Sequence, residues 1–288
     1  MFKKDTVVYT IKTYSLRSGG WCAEIAPDFG ANIFRLTFNG ADILRPLEDE
    51  SRLAENPFVF GAPLLLPANR TSRGKFSFEG KEYSLPVTEE KSGANLHGLL
   101  YSRKFSVLLY DSDRIELFLE NKNEIYPFSF KIKVGYRIKD GKFISNYTVL
   151  NADNRNMPFT FALHTTFKEP DIFSVPITTK QERDNLNLPT GRYIPLNAAE
   201  KEYISGAKSA GNIISGYYSA GGNKAVIGDM NYTVSDNFDH FILYNGGGTG
   251  GFLCIEPQCG AVDGLNIPGK HKILKPNEKA EFFTEISK

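Results

Sequence analysis

The chain has 288 residues, and its 34 Lys+Arg against 33 Asp+Glu leave a formal net charge of +1 with the two signs interspersed. That balance excludes the basic field a phosphate-backbone binder needs, so nucleic acid is not an expected partner. No apolar run approaches the roughly 18 residues of a membrane-spanning helix, and the first residues alternate instead of opening into an apolar leader, so no membrane partner and a soluble, cytoplasmic protein are expected.

In chain order, the dominant signal is short alternating runs bounded by Gly, Asn, Asp or Pro, the pattern of half-buried antiparallel strands. Such runs cover residues 6–13, 21–26, 33–38, 105–110, 114–120, 129–138 and 142–150. Asp111-Ser112-Asp113 and Lys139-Asp140-Gly141 separate neighbouring runs as hairpin turns, the second with the Asp-Gly pair of a tight turn. The best helical candidate, residues 47–54, is short and is closed by Asn56-Pro57, because the residue before proline is pushed out of the helical region. Residues 181–220, rich in small and polar side chains, read as a long loop excursion at one end of the fold. With 22 Phe and 14 Tyr to fill pleated faces, the expected fold is all-β, a large antiparallel β-sandwich. No linker, composition shift or repeat divides the chain, so one domain over 1–288 is expected. Cys22, Cys254 and Cys259 lack both zinc-site pairing and disulfide density and read as buried small hydrophobes.

Four polar residues end apolar runs. Arg70 follows Pro63-Leu64-Leu65-Leu66-Pro67, where its guanidinium either snorkels at the surface or holds a hydroxyl or carboxylate. His97 precedes Gly98, whose missing side chain lets backbone or ligand approach the imidazole. His164 closes the strand-like run 158–163, either as a core histidine or as a proton carrier near neutral pH. Glu256 follows Phe252-Leu253-Cys254-Ile255, where it either points to solvent from an edge or is desolvated into a better base. The glycine-rich run 245–251 formally contains G-x-G-x-x-G, but a strand and not a helix follows it, so it reads as a connection.

Taken in order, Phe29-Gly30-Ala31-Asn32, residues 58–70, Gly74-Lys75-Phe76-Ser77-Phe78-Glu79-Gly80, Tyr83-Ser84-Leu85-Pro86, Asn95-Leu96-His97-Gly98, Leu163-His164, Leu188-Pro189-Thr190-Gly191 and Ile255-Glu256-Pro257 make the chain resemble the aldose 1-epimerase (galactose mutarotase) family. The resemblance implies a β-sandwich of the galactose mutarotase type and interconversion of the α and β anomers of a free sugar without a cofactor or metal. It further implies Glu256 as the base at the anomeric hydroxyl, His164 as the acid at the ring oxygen, and Arg70 and His97 as groups that bind the sugar substrate. Hemiacetal opening itself demands one acid and one base at the same carbon, each worth about 10² to 10⁴-fold.

The sequence departs from the family pattern at positions that read the sugar. No aspartate stands in residues 213–219, Thr165-Thr166 follows His164, and Gln258-Cys259 follows Glu256-Pro257. The resemblance therefore carries the proton-transfer pair but not a galactose specificity. Two other readings stay open: an epimerase of hexose 6-phosphates, with Arg70, Arg73 or Arg183 as phosphate partners, and a carbohydrate-binding module without turnover.

Overall fold

The computed structural model describes residues 11–288. The alternation of residues 129–150 folds as the antiparallel strands Phe130–Lys139 and Lys142–Asn151, joined by Asp140 and Gly141 at φ +51° and +73°, the double positive φ of a two-residue hairpin. In the first of these strands Phe130, Ile132, Val134, Tyr136 and Ile138 are buried, while Lys131, Lys133, Arg137 and Lys139 face away from the core, which is the period of two that a one-sided sheet requires.

This hairpin belongs to an eight-stranded antiparallel sheet that runs, edge to edge, through Ser106–Tyr110, Arg114–Asn121, Phe130–Lys139, Lys142–Asn151, Lys279–Ser287, Met230–Val234, Lys224–Ile227 and Phe173–Ser174. A second eight-stranded sheet runs through Pro189–Pro195, Ile177–Arg183, Ser215–Ala220, His240–Tyr244, Phe252–Cys259, Phe161–Leu163 and Leu64–Leu65, with Thr166–Lys168 also paired to Phe252–Cys259. Aromatic side chains lock the two faces together: the Phe161 ring lies 5.8 Å from Tyr147 and 4.9 Å from Phe282, and Phe167 lies 5.1 Å from Tyr232. One cluster of buried apolar side chains extends from Leu16 to Ile286. Tyr14–Ser18, Trp21–Ala26, Asn32–Phe38 and Ala41–Asp42 form a smaller antiparallel sheet. Among the described residues no helix is long and apolar enough to cross a membrane.

Several expectations are corrected. Of the strand expected over 6–13, residues 6–10 lie outside the described residues and 11–13 are irregular, the first strand among the described residues being Tyr14–Ser18. The helical candidate over 47–54 is a short 3-10 turn, Glu50–Ala54. Residues 181–220 are not a loop excursion: they hold the end of Ile177–Arg183, the strand Pro189–Pro195, the α-helix Ala198–Ser205 and the strand Ser215–Ala220. Cys254 and Cys259 are buried, whereas Cys22 is only partly so, because Cys22 lies on the outer face of its strand.

Candidate active site

Phe252–Cys259 is buried along its whole length, and its two faces do different work. Leu253 and Ile255 pack into the inter-sheet core, and the alternate residues face the opposite side, where Glu256 reaches the floor of a cleft of about 300 Å³. Glu256 is not at an edge, because its strand lies between His240–Tyr244 and the segment 161–168, with Ile242 directly opposite the carboxylate residue.

His164 is held where that segment bends between the short strands Phe161–Leu163 and Thr166–Lys168. Its backbone N–H donates to Pro63 O at 2.9 Å, and Ile255 N–H donates to Thr165 O at 3.0 Å, so both neighbours of the bend are pinned. His164 Nε2 comes within 3.4 Å of Glu256 Oε1.

Arg70 and His97 are brought together by the two-residue ribbon Arg70–Thr71 against Asn95–Leu96, with His97 N–H donating to Asn69 O at 2.7 Å. His97 adopts φ +66°, and Gly98 follows at φ +61° with a Cβ position 2.1 Å from Leu66 O. Only glycine lets these backbones approach so closely, which fixes the loop that carries the imidazole. The His97 ring stands edge-on to His164 at 5.1 Å, and Phe58 packs 4.4 Å from it.

All four sequence candidates therefore line one cleft. Sequence reasoning missed Tyr217 and Glu89, and it raised Arg183 only as a phosphate partner. Arg70 donates to Glu89 through Nε and Nη2 at 2.7 and 2.6 Å and to the Tyr217 hydroxyl through Nη1 at 2.9 Å. Tyr217 in turn donates to Asn187 O at 3.2 Å. Arg73, by contrast, is exposed and does not line the cleft.

Burial dominates the electrostatics. It pushes the Glu256 carboxyl well above its ordinary value of 4.5, against a smaller downward pull from Arg70. It brings His164 down to about 4, and it holds His97 well below 6.5 with the help of the His164 and Arg70 charges. Among the described residues neither Glu256 oxygen has a hydrogen-bond partner, nor has Nδ1 of His164 or of His97. Donor atoms of His164, Cys254 and Glu256 lie within 4.8 Å of one another, a trio with metal-ligand chemistry. The Cys254 thiol is held well above 9.0 by burial and contacts Thr166 Oγ1 at 3.4 Å, so it would have to lose a proton to act as a ligand.

The family model described as aldose 1-epimerase matches residues 12–287. The chain belongs to the aldose 1-epimerase family. Relatives include YihR of Escherichia coli (strain K12), 33% identical over 130 residues that cover 44% of this chain and 40% of that protein. Galactose mutarotase of Rattus norvegicus is 28% identical over 164 residues, 52% of this chain and 46% of that protein. The chain thus spans about half the length of the curated relatives it matches. A solved galactose mutarotase-like protein from Clostridium acetobutylicum shares the fold with a TM-score of 0.87 at 24% identity, covering 94% of this chain and 93% of that one. The mutarotase type of sandwich is thereby shown, and no closed barrel is present among the described residues.

Proposed function

We propose that the cleft interconverts the anomers of an aldose, with Glu256 and His164 as the proton-transfer pair. The observation that carries this reading is the buried carboxylate whose two oxygens lack partners, 3.4 Å from an equally buried imidazole. Buried polar atoms are otherwise almost always satisfied, and the hydroxyls of a bound sugar would satisfy these.

Burial raises the carboxyl and lowers the imidazole, which favours a neutral pair with the proton on the carboxyl beside an unprotonated imidazole. Passing that proton to His164 leaves a carboxylate and an imidazolium. Glu256 then removes the proton of the anomeric hydroxyl while His164 donates one to the ring oxygen, the C1 to ring-oxygen bond breaks, and the open aldehyde forms. Rotation about C1–C2 and closure with the roles reversed give the other anomer. Arg70, fixed by Glu89 and Tyr217, supports the carboxylate form through its charge, and His97 lines the adjoining wall.

Glu256→Gln keeps the shape and removes the base, so it should lower the enzyme-catalysed approach of a fresh α-aldose to equilibrium by about 10² to 10⁴-fold, followed by polarimetry. Equal rates in the two proteins would refute the assignment. Sugar binding without acceleration in the wild type would favour the carbohydrate-binding module instead.

A further inference from the structure

Two arginines flank Tyr217 in the cleft, and their surroundings differ. Arg70 is held in a two-pronged ion pair with Glu89. Arg183 has no carboxylate within salt-bridge distance among the described residues. Its Nη2 donates to the carbonyl and hydroxyl oxygens of Ser215 at 3.1 and 2.8 Å, and its guanidinium carbon lies 5.0 Å from the centre of the Tyr217 ring. These partners are uncharged, so they fix the group without cancelling its charge. Nε and Nη1 donate to no acceptor among the described residues.

The neighbouring acids are committed elsewhere. Glu182 accepts from Arg192 and Thr190, and Asp184 accepts from the backbone N–H groups of Leu186 and Leu188. The strand that carries Arg183 is built to place it: the pairing of Ile177–Arg183 with Pro189–Pro195 shifts register between Gln181 and Arg183, an irregularity of the kind that re-aims a side chain at a site. Arg70 is paired with Glu89, so Arg183 is the one arginine lining the cleft that has no ion-pair partner among the described residues.

We propose that Arg183 selects the substrate, and that the substrate is an aldose bearing an anionic group, a phosphate monoester or a carboxylate, on a carbon remote from the anomeric centre. The inference rests on the anomer-interconversion reading of the same cleft. With C1 between His164 and Glu256, the anionic end lies against Arg183, where the free N–H groups make charge-assisted hydrogen bonds that a neutral hexose cannot match.

The test follows freshly dissolved α-glucose, α-glucose 6-phosphate and α-glucuronate to anomeric equilibrium, with wild type, Arg183→Gln and Arg183→Lys. At least one anionic aldose should have the higher kcat/KM, and Arg183→Gln should lower that value by about 10-fold or more, chiefly through KM. Glucose should change by less than about threefold, and Arg183→Lys should restore part of the loss. The phosphate and carboxylate arms identify which anion is read. Acceleration of glucose equal to or better than both anionic sugars, or equal losses on all three in Arg183→Gln, would overturn the role of Arg183 and leave anomer interconversion standing. If wild type accelerates no aldose, thermal stabilisation by glucose 6-phosphate or glucuronate that vanishes in Arg183→Gln would uphold the anion site while the catalytic reading falls. Absence of that stabilisation would overturn both.

Discussion

Glu256 and His164 are the residues whose burial conflicts most with their charge, and the conflict sets a pH dependence of stability. The Glu256 carboxyl is raised in the folded protein, so its contribution is fully present below its unfolded value near 4.5 and is lost as pH rises toward the folded value, because only the unfolded chain ionises freely. The His164 imidazole is lowered to about 4, so its contribution is fully present above 6.5 and is lost as pH falls from there toward 4. Just above 4.5 the two slopes oppose one another, and the imidazole slope ends at 6.5. Glu256→Gln removes the carboxyl slope. Its stability relative to wild type should therefore grow as pH rises above 4.5 toward the folded value, by at most about 1.4 kcal/mol per pH unit, in urea unfolding at fixed pH. Parallel profiles would show that Glu256 is not the buried acid described above. These residues were legible as polar ends of apolar runs. Glu89 was not, since it sits in Thr88-Glu89-Glu90-Lys91-Ser92, a run that reads like any solvated loop, and its partner Arg70 lies 19 positions away.

At the scale of elements, the strands with strict alternation fell within about a residue of their expected ends, as in Trp21–Ala26 and Arg114–Asn121. The misreading lay in residues 181–220, where small and polar composition hid two strands and a helix. The helix Ala198–Ser205 does carry a local signal, Asn197-Ala198-Ala199-Glu200, which closes as a capping box. Asn197 Oδ1 accepts from Glu200 N–H at 2.9 Å, and Glu200 Oε2 accepts from Asn197 N–H at 3.0 Å. Its apolar face is too short for a clear period of 3.6, which is why the pattern alone failed. Glu200 also accepts from Lys180 Nζ and the Tyr218 hydroxyl, on the two strands that carry Arg183 and Tyr217, so the cap docks the helix behind the cleft wall. Asn197→Ala should cost about 1 kcal/mol, a fall in thermal midpoint of about 2 to 4 °C. An unchanged midpoint would mean that tertiary packing alone holds this helix.

Across the whole molecule, alternation announced a sandwich, but the order of strands was not readable. Lys142–Asn151 pairs with Lys279–Ser287, far along the chain, and such partners are chosen by burial and shape that no local window contains. The same long-range packing reaches the active site from behind. Tyr232, on the first sheet, bonds through its hydroxyl to Thr165 Oγ1 at 2.9 Å, and Thr165 is the residue after His164 on the second. Both side chains are buried, so Tyr232→Phe leaves the Thr165 hydroxyl without this partner and should cost about 1 to 2 kcal/mol. If the cross-sheet bond also holds the bend that aims the imidazole, kcat should fall several-fold with KM nearly unchanged, because small misplacements of a proton donor are costly while sugar binding uses other groups. Loss of stability with kcat intact would assign the aim of His164 to the backbone bonds at Pro63 and Ile255 alone.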